Sequence, residues 1–119
     1  MVRGDVWLIN LDPTIGEEIR KTRPVIIVND NEIGILPLKV IVPITDWKNH
    51  YTLVDWMVKI EPDSNNGLEK TSAIDTFQVR SVSQQRFIKH LGQISDSLLK
   101  QVSYALSLVL SIPFQSDKE

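Results

Sequence analysis

Three cations gather in the stretch Arg20-Lys21-Thr22-Arg23, which follows the acidic pair Glu17-Glu18. An arginine guanidinium can bind two phosphate oxygens at once, and a lysine adds a positive point charge. The stretch is therefore a candidate site for a phosphate-bearing ligand. From this segment alone, a solvated, turn-rich surface loop is the favoured interpretation.

The remaining composition limits which chemistry the chain can use. Cysteine is absent, which excludes disulfides and thiolate metal sites, and the two histidines, His50 and His90, are a poor basis for a zinc centre. We therefore expect neither a metal nor a cofactor. The formal net charge is -2, so the field of the whole molecule does not favour nucleic acid, and any such site has to be local.

The length of 119 residues is enough for one domain with one core. Hydrophobic residues make up 42% of the chain and charged residues 24%, which is typical of globular domains and not of disordered chains. We expect a single domain over 1–114 and a frayed tail over 115–119. The first five residues lack the apolar run of a secretory signal, and no later segment is long enough to span a membrane, so the expected location is cytoplasmic.

Most of the chain shows the pattern of short strands. Runs rich in β-branched, aromatic or apolar residues predict strands over 6–11, 25–28, 40–45, 53–60, 73–82 and 87–94. Asp12-Pro13 ends the first run, and Pro43 indicates an edge or a bulge. Asn66-Gly67 suits a tight turn with positive φ.

A helix is predicted near the C-terminus, with an N-cap at Ser95 or Asp96, apolar residues at i, i+3, i+4 spacing, and an end at Pro113. Its apolar stripe includes Ala105 and Leu110 and is wide enough to indicate burial against a partner as well as the core. Together the elements predict a mainly β (α+β) fold. The expected architecture is a small SH3-like β-barrel, a strongly bent antiparallel sheet with a C-terminal helix, and a flat sandwich is the alternative.

Several short motifs occur in a defined order. They are Arg3-Gly4-Asp5-Val6-Trp7-Leu8, Leu11-Asp12-Pro13-Thr14, Gly16-Glu17-Glu18 and Thr22-Arg23-Pro24-Val25-Ile26-Ile27-Val28. In this order and spacing they resemble the N-terminal motifs of the MazF/PemK (Kid-like) toxin endoribonucleases of type II toxin-antitoxin systems. Further along, Val42-Pro43-Ile44-Thr45 resembles the family's strand that ends in a catalytic threonine, and Gln78-Val79-Arg80 resembles its Q-x-R strand.

The resemblance implies a homodimeric barrel that cleaves single-stranded RNA at short recognition sequences and so inhibits translation and growth. It also implies a cognate acidic, MazE-like antitoxin, with DNA bound only through the antitoxin complex. The implied catalytic residues are Arg23 and Thr45. The implied RNA contacts are Gly16, Glu17, Glu18, Arg20, Lys21, Pro24, Asp75, Phe77 and Gln78.

Arg23 and Thr45 fit the implied chemistry. RNA carries its own nucleophile, the ribose 2′-hydroxyl, so cleavage to a 2′,3′-cyclic phosphate and a 5′-hydroxyl needs no metal. Pro24 favours an extended backbone before it, and the Arg23 guanidinium matches two oxygens of a phosphate that gains charge in the transition state. Without the resemblance, Arg23 is equally explained by an ion pair with Glu17 or Glu18, and Thr45 by an ordinary strand position.

Two positions depart from the family pattern. Glu17 stands where some relatives have Ser or His, and Phe77 stands where relatives often have an acidic residue. Asp75, two positions earlier on the same predicted strand face, is a possible substitute. Phe77 is expected either to stack on a base or to pack in the core, and the same alternatives hold for Trp47 and Trp56.

Two non-enzymatic functions compete with the nuclease. One is a CcdB-like toxin that binds DNA gyrase, but such a protein has no need of Arg23 and Thr45. The other is an SH3-like module for proline-rich peptides, which requires an aromatic-lined groove, whereas the three tryptophans of this chain are scattered in the sequence.

Overall fold

An antiparallel sheet carries most of the chain in the computed structural model, which describes residues 1–34 and 36–114. Its strands are β1 (Asp5–Asn10), β2 (Thr22–Ile27), β3 (Leu38–Asp46), β4 (Met57–Ile60), β5 (Ser72–Asp75), β6 (Arg80–Ser83) and β7 (Phe87–Gln93). Short 3-10 turns lie at Asn49–Leu53, Thr76–Gln78 and Gln84–Arg86, and the helix α1 at Asp96–Val109. The predicted frayed tail, 115–119, lies outside the described residues.

The strands are hydrogen-bonded in the order β4-β5-β3-β2-β1-β7, and β6 also pairs with β3. The first half of β3 pairs with β6 and its last residues with β5, while β2 pairs with its middle. A long strand that changes partners along its length allows the sheet to bend. The predicted bent antiparallel sheet with a C-terminal helix is confirmed. Within the described part of the chain β4 and β7 do not pair, so the sheet does not close into a hydrogen-bonded ring.

The sheet is apolar on both faces, as the runs in β2 and β3 predict. One face and α1 enclose the larger core cluster, which consists of Val6, Ile26, Val28, Val42, Ile44, Val58, Ile60, Ile74, Ile94, Val102 and Ala105. The other face carries a smaller cluster of Ile9, Leu11, Val25, Ile27, Ile41 and Val82. Trp7, Ile19 and Phe87 partly cover this second cluster. Ile19 belongs to the β1–β2 loop, which therefore packs on the second face.

Two of the predicted strands are wrong over part of their length. The run 53–60 enters the sheet only at Met57, and the run 73–82 leaves it for a 3-10 turn at Thr76–Gln78. Both interruptions share one contact, because Thr76 donates from its N–H (3.1 Å) and from its Oγ1 (2.7 Å) to the carbonyl of Trp56. The positive φ predicted for Gly67 is confirmed at +72°.

Helix α1 begins as predicted. The Ser95 hydroxyl accepts a hydrogen bond from the N–H of Leu98 at 3.1 Å, the usual N-cap interaction. Val102 and Ala105 face the core, whereas Leu110, at the end of the wide apolar stripe, is 52% exposed. No helix among the described residues is long and apolar enough to cross a membrane.

The helix ends at Val109 and not at Pro113. Ser111 adopts a left-handed backbone with φ of 58°, and the N–H of Ile112 donates to the carbonyl of Ser107 at 2.8 Å. These are features of a Schellman helix end, which usually has glycine at the left-handed position. The chain has serine there, so the sequence contains no glycine to mark the end.

The motif Arg3-Gly4-Asp5 is structural. The Arg3 guanidinium donates to the carbonyl of Val28 and, at 2.7 Å, to the hydroxyl of Ser103, so it joins the end of β2 to α1. Gly4 has φ of +92°, a region that favours glycine. The motif therefore fixes how the helix sits against the sheet.

Candidate active site

Arg23 and Thr45 lie at the same end of neighbouring strands. β2 and β3 pair from Ile27 opposite Ile41 to Val25 opposite Pro43. Arg23 and Thr45 each lie two residues beyond this last pair, where Thr45 pairs with Ala73 of β5. Opposite residues of an antiparallel pair point to the same face of the sheet. Both side chains are half-buried. The fold thus places a guanidinium and a hydroxyl at the same end of two neighbouring strands, where the second apolar face of the sheet meets solvent.

Both side chains keep free hydrogen-bonding groups. Among residues 1–34 and 36–114, the Arg23 side chain makes no ion pair, and its only hydrogen bond runs from Nε to the carbonyl of Arg20 at a long 3.4 Å. The alternative pairing with Glu17 or Glu18 is therefore absent from the structure. The Thr45 hydroxyl has no partner among the same residues either. The terminal nitrogens of the guanidinium and the hydroxyl are available to a ligand.

Two further cations, Lys70 and Lys48, lie near Asp46 at this end of the sheet. Lys70 Nζ lies 2.8 Å from the Asp46 carboxylate. This hydrogen bond and the Lys70 charge, together with the charges of Arg23 and Lys48, hold the pKa of Asp46 below its ordinary value of 3.8. Three cations around one carboxylate leave an excess of positive charge next to Thr45. The sequence did not predict Lys48 and Lys70 as part of the site, because they lie in the segment least like the family motifs.

The β1–β2 loop is tied down at its base. The N–H of Leu11 donates to the carbonyl of Lys21 at 2.9 Å, and the N–H of Lys21 donates to the Asp12 carboxylate at 3.1 Å. The guanidinium of Arg86 donates to the carbonyl of Asp12, and that of Arg80 to the carbonyl of Leu11 at 3.5 Å. These arginines come from distant parts of the sequence, so no local pattern predicts their role.

The tip of this loop presents charged groups to solvent. Gly16, Glu17, Glu18, Arg20 and Lys21, all predicted to contact RNA, are exposed. Gly16 has φ of +61° and Lys21 has φ of 71°, so the backbone is left-handed at both positions. The Glu18 carboxylate accepts the N–H of Ile15 at 2.8 Å and so shapes the turn. The loop therefore presents its charged side chains from a defined backbone conformation.

The Gln78 side chain holds the tip of the β1–β2 loop by two hydrogen bonds. Its Oε1 accepts the N–H of Ile19 at 2.6 Å, and its Nε2 donates to the carbonyl of Glu17 at 3.2 Å. The Gln78 side chain also helps to lower the pKa of the Asp75 carboxyl. Because both ends of the amide are engaged, Gln78 acts as a positioning residue for the loop and has little capacity left to read a base edge.

We expect Gln78→Ala to loosen the loop without unfolding the protein. Two hydrogen bonds are lost at a partly buried site, which corresponds to about 1 kcal/mol each. Hydrogen exchange should accelerate at the Ile19 amide, and RNA cleavage should fall. Gln85→Ala is the matched control, because Gln85 is exposed and its side chain has no hydrogen-bond partner among the described residues. Equal exchange at Ile19 in both variants would contradict this role for Gln78.

Asp75 and Phe77 do not share a strand face, because the chain leaves β5 between them. The Asp75 side chain caps the following 3-10 turn, accepting the N–H of Phe77 at 3.1 Å, and the residue is only 5% exposed. Phe77 points outward and is 61% exposed. Packing of Phe77 in the core is therefore wrong. Asp75 can influence a ligand only through the turn and through Gln78.

The buried carboxylate of Asp75 should make stability depend on pH. Burial raises its pKa above the ordinary 3.8, although hydrogen bonds from Phe77 and Gln78 oppose the rise. A raised pKa in the folded state means that the protonated form stabilises the fold below pH 3.8 and that this contribution is lost as the pH rises through the folded-state pKa.

Asp75→Asn removes this titration. The unfolding free energy of the variant should therefore rise relative to that of the wild type as the pH increases from about 3.5 to 7, by about 1.4 kcal/mol for each unit of pKa shift. Urea unfolding at several pH values measures the difference. Asp55→Asn, at an exposed position, is the control and should follow the wild type. Parallel curves for all three proteins would show that Asp75 has no such effect.

Pro24 and Arg80, the last residue of the Q-x-R motif, line two different clefts. Pro24 pairs with Leu8 and lines a groove on the opposite face from Arg23, together with Lys70. Arg80 begins β6, whereas Gln78 belongs to the preceding 3-10 turn. Gln78 and Arg80 line one cleft of roughly 420 Å³ with Val79, Phe77, Glu17 and Glu18. The structure thus joins the loop and Phe77 in one cleft, and it places Arg23 and Thr45 on the strand ends.

The comparisons with known sequences concern nearly the whole chain. Residues 2–110 match the family model described as the PemK-like, MazF-like toxin of type II toxin-antitoxin systems. The chain is 32% identical to endoribonuclease PemK of Escherichia coli over 115 residues, covering 93% of this chain and 83% of that protein. It is 34% identical to endoribonuclease MazF of Staphylococcus saprophyticus over 113 residues, covering 94% and 92%.

Solved structures share the fold at lower sequence identity. MazF of Deinococcus radiodurans superposes with a TM-score of 0.78 at 20% identity, covering 94% of this chain and 97% of that chain. An endoribonuclease in complex with its cognate antitoxin, from a mycobacterial species, superposes with a TM-score of 0.75 at 17% identity, covering 97% and 99%. The expected resemblance in sequence and fold is therefore confirmed.

Proposed function

Because this chain belongs to the PemK-like, MazF-like family of toxins and its relatives are endoribonucleases, we propose that it cuts single-stranded RNA at short sequences without a metal. One observation carries the proposal most directly. Arg23 and Thr45 lie at the same end of the neighbouring strands β2 and β3, and both keep unused hydrogen-bonding groups. Such an arrangement suits a phosphate group that gains charge during a reaction.

The proposed reaction uses the substrate's own nucleophile. The 2′-hydroxyl gives its proton to water, its oxygen bonds to phosphorus, and the bond from phosphorus to the 5′-oxygen breaks. The 5′-oxygen takes a proton from water, so the products are a 2′,3′-cyclic phosphate and a 5′-hydroxyl. Arg23 donates two hydrogen bonds to the non-bridging oxygens, and Thr45 donates one nearby. Arginine is unsuited to accept the 2′-hydroxyl proton, because its guanidinium stays charged in proteins.

A simple incubation tests the activity. Purified protein is mixed with a long unstructured RNA in EDTA, and the products are separated by size. A sequence-selective nuclease of this mechanism gives discrete fragments. Intact RNA across many sequences would instead favour a gyrase-binding toxin or a peptide-binding module. Mapping the fragment ends on a mixed transcript then gives the recognition sequence.

The proposal includes two protein partners, a second copy of this chain and an acidic antitoxin. A solved neighbour of the same fold is in complex with its cognate antitoxin. On this chain, the exposed cations Arg20 and Lys21 could bind antitoxin carboxylates and compete with RNA phosphate for the same surface. The exposed end of the apolar stripe on α1, at Leu108 and Leu110, supports burial against a second copy.

Charge reversal tests the shared surface. Changing Arg20 and Lys21 together to Glu should weaken binding of both RNA and antitoxin, with the melting temperature nearly unchanged because both side chains are exposed. The affinity of the wild type for both ligands should fall as salt increases. Unchanged affinities in the double variant would exclude this loop as the common site. A monomer at micromolar concentration in sedimentation would contradict the dimer.

A further inference from the structure

Phe77 and Trp56 form an exposed aromatic pair beside the cleft. Phe77 is 61% exposed and Trp56 38% exposed, and their ring centroids lie 5.4 Å apart with an interplanar angle of 57°. Phe77 also lines the cleft next to Gln78. Large apolar rings left together in solvent at the edge of a polar cleft indicate a surface that meets a flat apolar ligand.

Hydrogen bonds to the backbone of Trp56 and Phe77 fix the points from which both rings extend before any ligand arrives. The carbonyl of Trp56 accepts two hydrogen bonds from Thr76, and the N–H of Phe77 is held by the Asp75 carboxylate. The next residue, Gln78, is fastened to the β1–β2 loop. A ring presented from a fixed backbone loses little conformational entropy on binding.

The charges around the pair select the type of ligand. Glu17 and Glu18 line the same cleft, and the Glu17 carboxylate has no partner among the described residues. Two carboxylates disfavour a phosphate or an acidic peptide at this point. They favour a group that donates hydrogen bonds, such as the exocyclic amino group of cytosine, adenine or guanine. Arg80 also lines the cleft, but its guanidinium donates to the carbonyl of Leu11, and the two carboxylates outnumber this one cation. Further cations lie at Arg23 and around Asp46, where they suit the RNA backbone.

We propose that Phe77 and Trp56 form a stacking platform for one unpaired nucleobase of the RNA, next to the nucleotide that is cut. Phe77 offers its ring face, Trp56 supports it from the side, and Glu17 accepts from the amino group of the base. This platform rests on the proposed nuclease function and adds a specificity-determining subsite to it. It favours a base that carries an exocyclic amino group over uracil at that position.

The test combines changes in the protein with changes in the RNA. Once the cleavage site is mapped, oligonucleotides with 2′-deoxyribose at the scissile position are made, each with one base removed in turn. In the wild type, removing the stacked base should weaken binding by about 5- to 150-fold. In Phe77→Leu that one loss should shrink to less than about twofold, while losses at other positions remain. Trp56→Leu should reduce the loss of affinity on removal of the stacked base only in part.

Phe114→Leu is the matched control. Phe114 also belongs to an exposed aromatic pair, with Tyr104, and the centroid distance is again 5.4 Å. This variant should keep the wild-type profile of losses. Glu17→Gln should reduce the preference for a base with an amino group over uracil at the same position and should leave the stacking loss in place.

The outcomes separate this platform from the nuclease function. If the wild type cuts RNA but Phe77→Leu leaves the profile of base-removal losses unchanged, the platform is refuted and the nuclease function stands. If the wild type neither binds nor cuts RNA, both fail. If Phe77→Leu weakens binding of the antitoxin and not of RNA, the pair is a protein-docking surface, and the proposal is overturned.

Discussion

Replacing Arg23 by alanine is expected to lower RNA cleavage at least about 10³-fold while the protein stays folded. Loss of one donor to a developing oxyanion costs about 10²- to 10³-fold, and Arg23 is positioned to supply two. Because it makes no ion pair among the described residues, the fold does not depend on it. Thr45→Ala should also abolish most cleavage, since it removes the neighbouring hydroxyl. Initial rates and thermal melts of each variant measure both effects.

Two controls separate the geometry of Arg23 from its charge. Arg23→Lys keeps the charge but cannot form the two-pronged contact, so we expect poor rescue. Lys89→Ala removes an exposed cation from β7 and should cut RNA like the wild type. Full activity in Arg23→Ala, with a wild-type melting temperature, would remove Arg23 from the catalytic site.

A single 2′-deoxyribose or 2′-O-methyl group at the scissile nucleotide is expected to block cleavage entirely. Either change removes the nucleophile from the substrate and leaves the bases and phosphates in place. The modified RNA should therefore still bind, and it should act as a competitive inhibitor of the unmodified strand. The same change two nucleotides away serves as the control. Cleavage of the modified strand at its usual bond would rule out attack by the 2′-hydroxyl.

The sequence predicts the elements whose signals are local. The strands around Val6 and Val25 and an N-cap at Ser95 or Asp96 follow from apolar patterning and capping chemistry, and the structure contains the strands and has the cap at Ser95. The strand errors at 53–56 and 76–78 arise from the contact between Thr76 and Trp56, which no local pattern contains. The late helix end was predicted wrongly because Ser111 occupies a position where glycine is the usual mark.

The candidate site likewise contains residues that the sequence identifies and contacts that it does not predict. The motif order points to Arg23 and Thr45, but only the pairing of β2 with β3 places them at the same end of neighbouring strands. Gln78 was expected to touch RNA, whereas the structure gives its amide two partners in a loop about 60 positions earlier in the chain. Lys70 joins the site through Asp46. Such long-range contacts depend on the assembled fold and are not written in any one segment.

The chemistry of the cut ends tests the central claim most directly. Purified wild-type protein and Arg23→Ala, prepared in parallel, are incubated in EDTA with an RNA that contains the mapped site. Each new 5′ end is tested for phosphorylation by a kinase without prior phosphatase treatment, and each 3′ end by mass. We predict a free 5′-hydroxyl and a 2′,3′-cyclic phosphate from the wild type only. A 5′-phosphate on the fragments, or equal cutting by Arg23→Ala, would contradict the mechanism.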